Sequence, residues 1–253
     1  MKNLFRMDSP VMLFLAAVWD LMVMNMLFII CCLPIITIGP ALSALLTCTM
    51  RMVRKEGNAG GLAFLKAFGA NFKQGLLLTL IYLVVGAALA LNGWFMLTGG
   101  KVYSFGIKCI CGLVLLVYLA SVSWVFALQS RFDNPVKVTV KNSFIIAVAK
   151  PLRTIGIILC TAFPFVLLYF ATEFFLKITW FWAMMGFSFI AYVNSISYVS
   201  VTEMVIKKKE ELEAEAAEKA LEEAAEEDAE NGTPEALPED GAEEVPGEEP
   251  EEN

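Results

Sequence analysis

The sequence contains no histidine among its 253 residues. Zinc sites that use imidazole, and Ser-His or Cys-His nucleophile pairs, are therefore excluded within this chain. Cysteine is present, but no Cys-x-x-Cys pair occurs and all six cysteines lie inside apolar runs, where thiols pack as small apolar side chains. We therefore predict no metal, no cofactor and no catalytic residue, and we expect the protein not to be an enzyme.

Charge is scarce in the first part of the chain, where Asp20 is the only charged residue between positions 11 and 50. About 20 apolar residues cross the hydrocarbon core of a bilayer, so this run is long enough for two crossings. Pro34, Gly39 and Pro40 lie near its middle and disfavour one continuous helix. The run predicts a helical hairpin within a membrane.

The whole chain is 58% hydrophobic, above the 45–50% that is typical of soluble domains. We predict an all-α, polytopic membrane bundle of about six transmembrane helices in one domain, residues 1–206. The approximate spans are 11–33, 41–52, 75–97, 102–128, 154–171 and 181–206. The second span is the weakest because it is short and contains Ser43, Thr47 and Thr49.

Two basic segments, 51–74 and 129–153, separate these runs and predict two short cytoplasmic interfacial helices. In the first, Phe64, Phe68 and Phe72 recur every four residues, which is typical of a helix lying in the headgroup region. The alternative is an aqueous loop whose phenylalanines pack on the bundle.

The distribution of charge predicts the orientation. With six spans and a cytoplasmic N-terminus, only Lys101, Lys108 and Lys177 of the 19 lysines and arginines lie outside, as the positive-inside rule requires. The C-terminus is then also cytoplasmic. Residues 207–253 form an acidic tail, predicted to be partly helical and then disordered from Asn231, where proline, glycine and glutamate dominate.

Asp20 is the strongest single candidate for a functional residue. It lies about 13 Å along the first predicted span, where an unpaired charge costs at least ~2.5–3.5 kcal/mol. Two roles are open: a proton or solute contact, or a structural carboxyl that pairs with Asn25 of another copy or with Asn194 and Ser195. The full set of candidate polar or hairpin residues is Asp20, Asn25, Pro34, Gly39, Pro40, Asn71, Lys73, Asn142, Asn194 and Glu203.

Two segments, NMLFIICCLPIITIGPALSALL (25–46) and FLKAFGANFKQGLLL (64–78), resemble the YesL family of bacterial membrane proteins. The family's Leu-Pro-x-x-Thr-x-Gly-Pro-Ala hairpin matches residues 33–41, and its Phe-x-x-Asn-Phe-Lys-Gln segment matches residues 68–74. Lys141-Asn142-Ser143 is also similar, and the resemblance covers about residues 1–206. It implies a multi-pass protein of the bacterial plasma membrane, associated with carbohydrate-uptake ABC transporters or sensors, and it supplies no catalytic residue.

Two functional hypotheses follow. The first is a non-enzymatic accessory or regulatory component that contacts the lipid bilayer and assembles with an ABC transporter permease or a sensor protein. The alternative is a small-solute transporter or channel that acts as a homo-oligomer and uses Asp20. Nucleic acid is not an expected partner.

Overall fold

The protein is all-α in the computed structural model, which describes residues 10–57, 59–98 and 104–231 and contains no β-strand within them. The helices are α1 Pro10–Cys31, α2 Ile38–Arg54, α3 Gly61–Thr98, α4 Phe105–Arg131, α5 Val136–Ala149, α6 Pro151–Phe170, α7 Thr172–Lys177, α8 Thr179–Phe181 and α9 Phe187–Asn231. Six helical stretches of the described chain are long and apolar enough to cross a membrane: Val11–Cys31, Ile35–Arg54, Gly61–Thr98, Phe105–Arg131, Pro151–Phe170 and Thr179–Leu221.

The turn between α1 and α2 is built around Thr37. A short 3₁₀ turn, Ile35–Thr37, follows Pro34, and the Thr37 hydroxyl donates hydrogen bonds of 2.6 Å to the carbonyl oxygens of Cys31 and Pro34. Pro40 stands in the first turn of α2, where the backbone N–H groups have no partner within the helix in any case. The hairpin that the two prolines predict is therefore present.

The weakest predicted span, α2, is the most enclosed of the six. Of its most apolar stretch 56% is buried, against 17% to 39% for the other five. Its polar side chains do not oppose this position, because the hydroxyls of Thr47 and Thr49 donate to carbonyls one turn earlier in the same helix. Hydroxyl and other small residues are typical of helix contacts inside a membrane bundle.

The predicted interfacial helix near residues 64–72 is not a separate element. It forms the first part of α3, which continues for 38 residues without a break at Gly75. Phe64 is fully buried, and the rings of Phe64, Phe68 and Phe72 follow one another at centroid distances of 6.5 Å and 5.5 Å. Phe64 and Phe68 therefore pack against the body of the protein, as the alternative interpretation predicts, but the segment is a helix and not the loop of that interpretation.

The second basic segment does form a helix of its own, α5. It begins after Pro135 and ends at Ala149, and only Lys150 separates it from Pro151 at the start of α6. Lys150 has φ −128° and ψ 61°, outside the helical region, so the chain bends there. Proline at the first position of α6 suits this start, since its missing N–H would lack a helical partner.

Buried side chains are concentrated in one half of the long helices. In α3 the last buried residue is Tyr82, and in α4 the first is Ser121. The remaining parts of these helices expose large apolar side chains such as Val84, Leu113 and Leu116. A surface of this kind requires hydrocarbon around it, which agrees with a multi-pass membrane protein.

The chain divides into two compact units, Met1–Val205 and Ile206–Asn253. The described part of the second unit is helical to Asn231 and carries two ion pairs at i,i+4 spacing, Lys207–Glu211 at 4.0 Å and Lys209–Glu213 at 3.3 Å. Disorder was predicted from Asn231, which is still helical, and residues 232–253 lie outside the described residues.

Candidate functional site

The two segments that resemble the YesL motifs meet where α2 and α3 touch at Gly39 and Gly75. A β-carbon placed on Gly39 would lie 1.8 Å from the Thr79 hydroxyl oxygen and 2.8 Å from the Gly75 carbonyl oxygen. A β-carbon on Gly75 would lie 2.9 Å from the Pro40 Cα. Neither position has room for a side chain, so the two glycines allow the helix backbones to approach directly.

Gln129, a buried residue of α4, completes this contact, which we call the α2–α3–α4 junction (Gly39, Ser43, Asn71, Gly75 and Gln129). The Ser43 hydroxyl donates a 2.9 Å hydrogen bond to the Gln129 side-chain oxygen. The Gln129 amide nitrogen donates in turn to the carbonyl oxygen of Asn71 at 3.3 Å. One buried amide thus connects three helices.

The side chains of Asn71 and Lys73 take different positions beside this junction. The Asn71 amide donates to the carbonyl oxygen of Ala67 in its own helix, at 3.0 Å. Lys73 is exposed and lines an open pocket of about 470 Å³ together with Asp133 and Asn134. The neighbouring Gln74 amide donates to the Asn134 carbonyl oxygen, which fixes the connection between α4 and α5 against α3.

A second buried polar group connects α3, α4 and α5. The Tyr82 and Ser121 hydroxyls share a hydrogen bond, and Ser121 shares another, 2.8 Å long, with Ser143. Ser143 also bonds the Val140 carbonyl oxygen at 2.7 Å. The three hydroxyls therefore satisfy one another and leave no buried donor free in this chain of contacts.

Trp124, which is fully buried, ties α4 to α6 and α9. Its indole N–H donates to the Thr154 hydroxyl at 2.9 Å, and Thr154 in turn lies 3.1 Å from the Ala147 carbonyl oxygen. The Trp124 ring meets the Tyr198 ring edge-on at 5.2 Å. This cluster is formed by residues that are distant in sequence.

Asn25, fully buried in α1, binds the π-helical turn Trp182–Gly186. Its side-chain nitrogen donates to the carbonyl oxygens of Ala183 at 2.7 Å and Trp182 at 3.3 Å, and its oxygen accepts the Ser188 backbone N–H at 3.1 Å. A π-helical turn displaces the normal helical hydrogen-bond pattern, and here one amide binds the backbone groups around it. The Trp182 indole N–H and the Ser188 hydroxyl lack a partner among the described residues.

Among the described residues, Asp20 makes no hydrogen bond with Asn25, Asn194 or Ser195 of its own chain. Asn25 binds the π-helical turn, the Asn194 amide donates to the Thr161 hydroxyl at 3.0 Å, and Ser195 shares a 2.7 Å hydrogen bond with Thr49. The Asp20 carboxylate lies instead beside the connection between α2 and α3, with one oxygen 3.2 Å from where a Gly60 β-carbon would be.

Asp20 was predicted to lie within the apolar part of the first span, but it lies close to the basic end of α2. The connection beside it follows the C-terminal turn of α2, which carries Arg51 and Arg54. Asp20 is half-buried and forms no ion pair of 4.0 Å or less with a described residue. The structure does not show the pairing with Asn194 and Ser195, and the pairing with Asn25 of another copy stays a prediction.

The remaining candidates do not join these contacts. Asn142 is half-buried in α5, one position before Ser143. Glu203 is exposed in α9, where Lys207 makes its ion pair with Glu211. The candidate functional residues predicted from the sequence do not include Gln129, Ser43, Trp124 or Thr154. An isolated glutamine at the end of an apolar run is the signal that could have identified Gln129, because a buried amide needs partners.

The described cavities do not connect to Asp20. The pocket beside Lys73 opens to the surface, and a groove of about 530 Å³ between α4, α5 and α6 has an almost wholly apolar lining. Asp20 lines neither of them. Chemically, the buried polar residues serve to hold helices together.

The comparisons with known proteins give one match. The model of the family described as "Protein of unknown function, DUF624" matches residues 21–93, which include part of α1, all of α2 and most of α3. Both sides of the contact between Gly39 and Gly75 lie within this region. No curated protein and no solved structure matches the chain. The chain is thus similar, over residues 21–93, to a family whose function is unknown.

Proposed function

We propose that the protein is a non-enzymatic accessory or regulatory component of a bacterial plasma-membrane assembly for carbohydrate uptake or sensing. Its partner would be an ABC transporter permease or a sensor protein. The association with carbohydrate comes from the resemblance to the YesL family. The observation that best supports a role in assembly is that most of the buried polar side chains described above bind one another and the backbone.

Three contacts illustrate this use of the interior. Ser43 binds Gln129, Thr49 binds Ser195, and Trp124 binds Thr154, each between two helices. Polar groups engaged in this way are not available to a solute, because breaking such a pair leaves a buried group unsatisfied. The outer surface is therefore the part of the molecule that we expect to bind a partner.

That outer surface is apolar over a large area. Leu113 of α4 is 63% exposed, and Phe165 of α6 is 66% exposed. Aromatic and aliphatic side chains of this size can pack against lipid or against the helices of another membrane protein. We infer that a partner binds along α4 or α6, with both termini of this chain in the cytoplasm.

The proposal is tested by crosslinking in the native membrane. A photoreactive amino acid is placed at Leu113 or at Phe165 in the full-length chain, and at Leu221, which is 72% exposed near the end of α9, as the control. After illumination, the adducts are identified by mass spectrometry. We expect the same membrane protein to be captured from at least one of the first two positions and not from Leu221.

Capture of lipid alone, or only of further copies of this chain, from both Leu113 and Phe165 would contradict the proposal. The transporter hypothesis has its own test, in which the protein is reconstituted in vesicles and uptake of a panel of sugars and ions is compared with that of Asp20→Asn. We expect no uptake that depends on Asp20. An uptake activity abolished by Asp20→Asn would replace the accessory role with that of a small-solute transporter or channel acting as a homo-oligomer.

A further inference from the structure

The groove between α4, α5 and α6 has a lining of hydrocarbon. Its walls include Leu116 and Leu119 of α4, Val148 of α5 and Ile155 and Leu159 of α6. Thr154 is the one polar side chain in the lining, and its hydroxyl already binds Trp124 and the Ala147 carbonyl oxygen. The volume of about 530 Å³ lies within the range of small-ligand sites.

Two features of the chain create this groove. Gly112 and Ala120 contribute little bulk on the α4 side, and a β-carbon placed on Gly112 would have no atom within 4 Å. On the other side, the chain bends at Lys150, so α5 and α6 do not form one straight helix that could lie flat against α4. Both features leave space between α4 and the segment that contains α5 and α6.

The segment that contains α5 and α6 carries charges of a single sign. From residue 134 to residue 172 the sequence contains no aspartate or glutamate, whereas Lys137, Lys141, Lys150 and Arg153 are all cationic. Lys150 stands at the bend, between the groove-lining residues Val148 and Pro151. It is exposed and makes no ion pair with a described residue.

We propose that the groove binds one acyl chain of an anionic phospholipid and that Lys150 binds its headgroup. An apolar groove on a membrane-spanning helix faces hydrocarbon, so an acyl chain is the ligand that matches its lining. Basic residues beside membrane helices attract anionic headgroups, and the flexible side chain of lysine carries a compact charge that suits a phosphate. No nearby acid in the 134–172 segment competes for Lys150.

Native mass spectrometry of the full-length protein in mild detergent tests this proposal. Phosphatidylglycerol and phosphatidylcholine with identical acyl chains are added separately, and the lipid retained per protein is measured. We expect one phosphatidylglycerol to be retained more strongly than phosphatidylcholine. Lys150→Gln should lower that preference about fivefold, since a lysine near the surface contributes about 1 kcal/mol to binding an anionic lipid. Lys177→Gln, in α7, is the control.

Filling the groove tests the acyl chain separately. Gly112→Leu places a side chain in the open space of the groove, whereas Gly106→Leu adds the same side chain to α4 outside the lining. Neither β-carbon meets another atom within 4 Å, so both variants should fold, and their thermal unfolding is measured to verify this. We expect Gly112→Leu to lose most of the retained lipid of either headgroup and Gly106→Leu to keep it.

If Gly112→Leu and Gly106→Leu retain equal amounts of lipid, the acyl-chain site is overturned, because the lipid would then bind the apolar surface without preference for the groove. An unchanged preference for phosphatidylglycerol in Lys150→Gln would overturn the role of Lys150. A photoreactive group at Leu159, which lines the groove, should form adducts with lipid. Adducts with a protein helix in place of lipid would assign the groove to a protein partner and so also overturn the proposal.

Discussion

Gly39 and Gly75 bring two helix backbones into direct contact: a β-carbon on Gly39 would lie 2.8 Å from the Gly75 carbonyl oxygen. The contact joins the hairpin motif of α2 to the middle of α3. It also places Ser43 of α2 and Asn71 of α3 within reach of the same glutamine of α4. The polar contacts of the α2–α3–α4 junction thus depend on the close approach of the two glycines.

We predict that Gly39→Ala and Gly75→Ala each destabilise the protein by about 1–3 kcal/mol, because the added methyl group overpacks a full interior. The measurement is the midpoint of unfolding in mild detergent. Gly69→Ala is the matched control in α3, since a β-carbon there has open space within 4 Å and alanine favours a helix more than glycine does. Equal midpoints for Gly75→Ala and Gly69→Ala would contradict the close contact.

Asn25→Ala should loosen the π-helical turn, because it removes three hydrogen bonds to the backbone of residues 182–188. We expect a loss of about 1–3 kcal/mol for each buried group that is left unpaired. Hydrogen exchange should become faster in that segment. Asn142→Ala is the control, because Asn142 is half-buried in α5. Unchanged hydrogen exchange in Asn25→Ala would show that the turn does not depend on Asn25.

Ser43 and Gln129 should be energetically coupled. In a double-mutant cycle of Ser43→Ala and Gln129→Leu, we expect a coupling energy of about 0.5–1.5 kcal/mol, the contribution of one buried hydrogen bond. Thr98→Ala replaces Ser43→Ala in the control cycle, because among the described residues the Thr98 hydroxyl binds the Trp94 carbonyl oxygen, at the far end of α3 from Gln129. A coupling no larger than that of the control would argue against the bond.

Thr154→Val should destabilise the protein by about 1–3 kcal/mol, since the isosteric side chain leaves the buried Trp124 N–H without an acceptor. The midpoint of unfolding in detergent measures this. Thr172→Val is the control because the Thr172 hydroxyl is exposed and binds its own preceding turn. If both valine variants have the same midpoint of unfolding as the unmodified chain, the hydrogen bond from Trp124 to Thr154 does not stabilise the protein.

The number of helices long and apolar enough to cross a membrane could be predicted because it depends on local properties. Runs of about 20 apolar residues define spans, and Pro34 and Pro40 interrupt one of them. The position of α2 could not be predicted in the same way. Ser43, Thr47 and Thr49 lower its hydropathy, which weakens the evidence for a span, yet such residues favour the interior of a bundle surrounded by lipid.

The contacts of Asn25 and Gln129 depend on tertiary structure. Asn25 binds residues 157 and more positions away, and Gln129 binds Ser43 across 86 positions. Helical periodicity places a residue on a face but does not identify the helix that faces it. For Asp20, the sequence indicated that the charge needs an explanation, but the return of the chain at Gly60 beside it was not encoded in any local pattern.

The continuity of α3 has a mechanical consequence. Its 38 residues extend about 57 Å, nearly twice the ~30 Å thickness of a hydrocarbon core. A helix that is longer than the membrane adapts to a thinner bilayer by tilting. Because α3 is one continuous helix, we expect such a tilt at its exposed end to displace Phe64 and the rest of its first turns, so that a change in membrane thickness reaches the opposite end of the helix.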